Sequence, residues 1–438
     1  MDERKAPTTS YFVPAHLERA GVYLANNNKG FNIEHLRNFN NTAPDIAFGF
    51  ESMPGHQASE NRGEYAPNRG ASLASPTSGF DSVGLGTFGG TGIYAAKIGG
   101  VWDALLGEGR KWWFFASSDY HNRGSFGPDQ RESDQDFYPG EYQKDYVMVR
   151  KGSNSLSAEA IIDGLRSGNS FAGSGDLVDR LAFVACAANP AIPSAAFKTL
   201  IEKAALNAVA KNAEVRIDGC ATMGEKLVVA PGANLVVAIA VRDPQGTNNS
   251  PYSFANPSLK QINITQPLNA PVLDHIDVIG GNVTGYVDPT DAAKYAGVEG
   301  TAAASNTTAG IKKVFNGTNW TASTDGVRVM SYRIPAVKVS QYLRLRGTNL
   351  PASTPFETDA NGNPLNDYDL SPFVDAAKAE AQKPGKVVCA DAACPAHMRT
   401  IDGVKYSSLD VAAWADLWFY SNPIYVEVTN SVKVAGTK

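Results

Sequence analysis

Charge is scarce in this chain: Asp, Glu, Lys and Arg make up 19% of its 438 residues, below the roughly one quarter usual in globular proteins. The net charge is -5 and no basic run occurs, which excludes the electrostatic footprint of a nucleic-acid-binding surface. No zinc-finger, helix-turn-helix or RNP-like signature is present either. Long apolar runs are missing too, so no stretch reaches the ~20 residues of a membrane-spanning helix. The opening Met1-Asp2-Glu3-Arg4-Lys5-Ala6-Pro7 has no apolar segment behind its charges, so no signal peptide is read there.

Cysteine and histidine are few. The four cysteines lack the two close pairs of a zinc ribbon. Cys389 and Cys394 share a short polar loop, and Cys186 and Cys220 flank a helical segment. Two disulfides and a periplasmic or extracellular location are the expectation; four unpaired thiols are the alternative. The six histidines are His16, His35, His56, His121, His275 and His397, and no two of them form H-x-H.

What the chain does have is glycine (41) and proline (25), hence many turns, and a hydrophobic content of 43%, hence a core. Residues 1–180 read as α/β. Short apolar runs end at His16, at Glu51 and at Asp119, and helical patterns cover 31–37, 101–106 and 157–168. Ser157 is a good N-cap for the last of these and Gly168 a good terminator. The stretch 57–92, dense in Gly, Ser, Asn and Pro, reads as a long loop. Residues 181–438 read as a β-rich, sandwich-like domain, with a helical insertion near 191–211. Runs at 227–230 and 235–241, separated by Pro231-Gly232, predict a hairpin.

The chemistry concentrates in Trp112-Trp113-Phe114-Phe115-Ala116-Ser117-Ser118-Asp119-Tyr120-His121. An apolar run without alternation suits a parallel strand buried on both faces. Asp119 and His121, two apart at its end, share a face and can converge on one ion. With His16 and Glu51 at two other strand ends, the donor types suit Zn²⁺, Mn²⁺ or Fe²⁺. Each has an ordinary alternative: a satisfied core histidine for His16, a solvated strand end for Glu51, a loop residue for His56.

These pieces, in this order, resemble the polymerase-and-histidinol-phosphatase (PHP) superfamily of metallohydrolases, most nearly its CehA/McbA-like branch. Pro14-Ala15-His16 is similar to the family's Ala-His-Pro motif, with Leu17 in place of the proline. Trp102-Asp103-Ala104-Leu105-Leu106, Gly109-Arg110 and Ser118-Asp119-Tyr120-His121 resemble its W-D-x-L-L, G-R and S-D-x-H block. Leu165-Arg166-Ser167-Gly168 resembles the helix that follows, and Trp418 to Tyr425 loosely resembles its closing strand. The resemblance covers residues 11–180 and implies the C-terminal part of a distorted (β/α)₇ barrel. It further implies His16, Asp119 and His121 as metal ligands, with Asp119 and His121 catalytic. Glu51 and His56 would lie beside the site, and Arg19, Arg62 and Arg123 would contact an anionic substrate.

The family's H-x-H, T-D-H and Glu strands have no counterpart ahead of His16. Three ligands suffice for one zinc but not for the family's multi-metal cluster. Either another segment supplies that part, or the chain is a metal-poor relative. The function implied is hydrolysis of a phosphoester, or of a related ester or amide, by metal-activated water. The alternative is a non-catalytic extracellular, structural or self-assembling protein of the same descent. The partners considered are a small-molecule substrate, a second copy of the chain, or a missing N-terminal half.

Overall fold

The apolar side chains sort into three clusters, each sealed between layers of secondary structure. The computed structural model describes residues 10–17, 31–55, 87–120, 139–150, 156–244, 271–291, 305–323, 325–354, 357–365, 400–401, 404–405 and 412–430. Among them helices and strands mix in several sheets, and no barrel closes.

The first sheet is antiparallel, in the order β13 (Thr321–Ala322), β14 (Val327–Val337), β10 (Ala233–Arg242), β7 (Arg180–Ala187), β8 (Cys220–Thr222). Helix α5 (Ser194–Lys211) covers one face, laying Phe197, Ile201, Ala205 and Val209 over Val184, Val236, Ala238 and Ala240. Four apolar residues at a spacing of four form one helical stripe, and that stripe fixes which face of α5 turns inward. The second sheet runs β12 (Gly310–Asn316), β11 (His275–Asn282), β15 (Gln341–Thr348), β18 (Trp418–Ser421), β6 (Ser170–Ser174), β5 (Gln143–Val147). Strand β19 (Ile424–Val428) pairs with β15 and, in parallel, with β9 (Lys226–Val229). The two sheets face each other across a shared core that includes Phe183, Val237, Ile239, Ile276, Leu345 and Phe419.

The far face of the second sheet carries an α/β layer. Its strands β1 (Gly49–Pro54) and β4 (Trp113–Ser117) pair in parallel. A small hairpin, β2 (Thr87–Phe88) with β3 (Thr91–Gly92), and helices α1 (Ile33–Thr42), α2 (Ile93–Ala96) and α3 (Val101–Gly107) complete it. Strands β16 (Thr400–Ile401) and β17 (Val404–Lys405) pair antiparallel. Helix α4 (Ala158–Ser167) starts as its residues dictate: Ser157 accepts from the Ala160 N–H, and Gly168 closes the helix at φ 72°.

Two features depart from the expected organisation. The second sheet takes β5 and β6 from before residue 180 and its other strands from beyond it, so the two halves of the sequence share a sheet. The runs around Pro231-Gly232 are not a hairpin: β9 joins the second sheet and β10 the first. Strand β9 alternates exposed and buried residues, whereas β10 is buried from Leu235 to Val241 and needs cover on both faces. The chain therefore switches sheets at the turn.

Cys186 and Cys220 form a disulfide that closes a segment of 34 residues across β7 and β8. Loop entropy makes such a bond worth about 3–4 kcal/mol. The Cys186→Ala/Cys220→Ala variant is therefore expected to unfold at clearly lower denaturant concentration than the wild type under non-reducing conditions. Cys389 and Cys394 lie outside the described residues. No helix among the described residues is long and apolar enough to cross a membrane.

Candidate metal centre

Residues 10–17 run alongside β1. The Phe12 N–H donates to Ile46 O, Glu51 N–H to Pro14 O and His16 N–H to Glu51 O, with a parallel bridge between Ala15 and Glu51. On the other side of β1, Gly49, Phe50 and Glu51 register with Trp113, Phe114 and Phe115 of β4. Three chain segments thus run in one direction with β1 in the middle. Phe48, Phe50, Trp112, Trp113 and Phe114 anchor them by burial. His16 and Asp119 lie at the C-terminal ends of the outer two, and Glu51 is the third residue of β1 between them. A bulge between Glu51 and Met53 breaks the register at this end, a common device for re-aiming side chains beside a site.

Two of these side chains meet, and the third braces their backbone. His16 Nε2 lies 3.5 Å from Asp119 Oδ2, and both side chains remain partly open to solvent. Glu51 is buried, and its Oε2 accepts from the His16 backbone N–H at 2.6 Å. Ser117 Oγ donates to Glu51 Oε1 at 3.4 Å and accepts from the Asp119 N–H at 3.1 Å. Glu51 and Ser117 therefore brace the backbone of both His16 and Asp119. Both residues sit in the left-handed region, His16 at φ 33° and Asp119 at φ 44°. For a non-glycine residue that conformation costs on the order of 1–2 kcal/mol and persists where the surroundings enforce it.

The second edge of β4 has no strand partner among the described residues; side chains complete its hydrogen bonding. The Phe114 N–H donates to Asn422 Oδ1 at 2.8 Å and the Ala116 N–H to Asp145 Oδ1 at 2.9 Å. Asp145 is an exposed residue of β5, although many protein atoms surround its carboxylate. Desolvation pushes its pKa from 3.8 up to about 7, against the lowering effect of the Ala116 N–H. The folded chain then holds this proton more tightly than the unfolded chain. Stability from this group is full at acid pH and declines as pH rises from about 4 to about 7. Asp145→Asn is expected to raise the melting temperature at pH 8 and leave it unchanged at pH 4. An unchanged melting temperature at pH 8 would contradict the desolvated carboxylate.

Of the residues singled out from sequence, the structure brings the His16 and Asp119 side chains together and sets Glu51 against the His16 backbone. His121, His56, Arg19, Arg62 and Arg123 lie outside the described residues. Among the described residues no group of three or more His, Cys, Asp or Glu side chains is arranged to hold a metal ion. Imidazole nitrogen and carboxylate oxygen 3.5 Å apart nevertheless fit a divalent ion as two of its donors. Glu51 is already committed to His16 and Ser117. His35 caps α1 through Asn32, and His275 pairs with Asp274. Asp103, from the Trp-Asp motif, points away from the site to Arg344. The sequence reading missed Asp145 and Asn422. A lone Asp inside the strand Gln143–Val147, against its β-propensity, was the available signal for the first. Compared with protein families, curated proteins and solved structures, the chain matches none.

Proposed function

We propose that the chain is a metal-dependent hydrolase of PHP type, acting on a phosphoester or a related ester or amide. The observation that carries this reading is the meeting of His16 and Asp119 at the C-terminal ends of two parallel segments, braced by Glu51 of the strand between them. Strand ends of this kind are where α/β folds present catalytic groups. In this reading those segments are the later part of a distorted barrel, packed on a β-sandwich.

His16 Nε2 and Asp119 Oδ2 would hold a divalent zinc, manganese or iron ion, with His121 the third ligand. When bound, such an ion supplies a water of lowered pKa and polarises a phosphoryl or carbonyl oxygen. Glu51 fixes the His16 backbone, and through Ser117 that of Asp119, so both donors arrive pre-positioned. His56, Arg19, Arg62 and Arg123 remain the proposed substrate contacts. The disulfide fits an oxidising compartment, periplasmic or extracellular.

A second reading is a non-catalytic extracellular or self-assembling protein of the same descent. The large two-sheet core and its disulfide support it. One assay separates the two. The purified chain is incubated with Zn²⁺, Mn²⁺ or Fe²⁺ and offered p-nitrophenyl phosphate, bis-p-nitrophenyl phosphate and p-nitrophenyl acetate. Turnover of at least one, abolished by chelator and restored by metal, is expected. No metal-dependent turnover of any of them would favour the second reading.

A further inference from the structure

A cavity of about 760 Å³ opens away from the His16–Asp119 pair, between α4, the end of β5, the start of β7 and the segment after α5. Helix α4 leaves room for it: Gly164 is its one buried residue, and Ile161 on its apolar face stays exposed. A Cβ on Gly164 would meet Val147, Val149 and the Met148 carbonyl at about 3 Å, so glycine lets the helix close down on the strand end at that one point. The volume is that of a small-molecule site.

Its lining is divided. Met148, Val149, Ala208 and Val215 give it an accessible apolar floor, and the buried core residues Leu181, Phe183 and Met223 lie beneath it. Arg150, Glu214 and Arg216 stand at its mouth. Arg150 Nη2 donates to Glu214 Oε1 at 2.6 Å, while Arg216 donates through Nε and Nη2 to Glu214 Oε2 at 2.8 and 2.6 Å. Two guanidinium groups thus share one carboxylate, and each carries further N–H donors that no protein acceptor takes up. Of the other carboxylates of the lining, Asp163 pairs with Arg166, and Glu225 Oε2 accepts from the Thr222 N–H and Oγ1 while its charge also acts on Arg150. The mouth is therefore richer in donors than in acceptors, and it lies beside an apolar floor.

We propose that this cavity binds an amphipathic organic anion, its carboxylate or sulfonate held by Arg150 and Arg216 and its apolar body lying against Met148, Val149 and Val215. A planar guanidinium matches such a head group, and sharing Glu214 presets the two side chains for it. The site is independent of the hydrolase reading.

The test uses two dyes of similar shape. 1-Anilinonaphthalene-8-sulfonate carries the anionic head; N-phenyl-1-naphthylamine lacks it. Fluorescence titration of the full chain is expected to show saturable one-to-one binding of the sulfonate. Arg150→Ala/Arg216→Ala should weaken that binding about tenfold or more while changing the affinity for the neutral dye less than about twofold. Ala160→Trp, on the cavity-facing side of α4, should abolish binding of both, with an unchanged circular dichroism spectrum. Absence of saturable sulfonate binding would overturn the proposal. So would equal loss of both dyes in the double arginine variant, or full binding retained in Ala160→Trp.

Discussion

Replacing Asp103 by alanine is expected to destabilise the chain by about 3–5 kcal/mol, as breaking a buried ion pair does. Asp103 and Arg344 have no exposed side-chain surface. The guanidinium donates to both carboxylate oxygens at 2.8 Å and lies 4.6 Å from the Trp102 ring centroid. Asp103 Oδ2 also accepts from the Gly99 N–H, which fixes the entry to α3. Removing the carboxylate leaves a buried cation with no counter-charge. The loss arises from that orphaned charge, so removing both members behaves differently. Asp103→Leu combined with Arg344→Met is expected to recover most of the stability, because apolar side chains of similar volume avoid the desolvation cost altogether. Urea unfolding of the single and double variants reads both numbers. The pair ties α3 to β15, so an unperturbed single variant would mean that the α/β layer is not clamped to the second sheet in this way.

The second large effect is at Asp119. Asp119→Ala is expected to lower metal-dependent hydrolysis by more than a hundredfold, because it deletes a donor. Glu51→Ala is expected to cost about 10–100-fold, the range seen when a group supporting a ligand is lost. Stability should move in the opposite sense for one substitution. At φ 44° a glycine relieves strain that aspartate bears, so Asp119→Gly is expected to stabilise the chain by about 1 kcal/mol while removing activity. A residue held in strain for its chemistry shows this trade-off. Were Asp119→Gly destabilising, the left-handed backbone there would have no functional cost to explain.

Much of this was legible in the residues because the signals were local. Ser157 and Gly168 bracket α4, the unbroken run Leu235–Val241 announces a strand, and Cys186 and Cys220 pair across the helix between them. His16, Glu51 and Asp119 were found because each ends an apolar run, and parallel segments bring such ends together. What escaped depends on partners distant in sequence. Nothing near Asp103 names Arg344, and nothing near Ala116 or Phe114 names Asp145 or Asn422. The sheet switch between β9 and β10 follows from which partner strand each finds, β19 for one and β7 with β14 for the other. A Pro-Gly turn permits either outcome. The cavity beside α4 also left no local trace, since an amphipathic helix reads the same whether or not its apolar face is covered.

Calorimetric titration of Zn²⁺ or Mn²⁺ into the wild-type chain, His16→Ala and Asp119→Ala tests the central claim most directly. The predicted result is saturable binding to the wild type that weakens at least tenfold in either variant, with the folded state unchanged by circular dichroism. Wild-type binding that both variants retain in full, or no binding by the wild type at all, would contradict the assignment of His16 and Asp119 as metal donors.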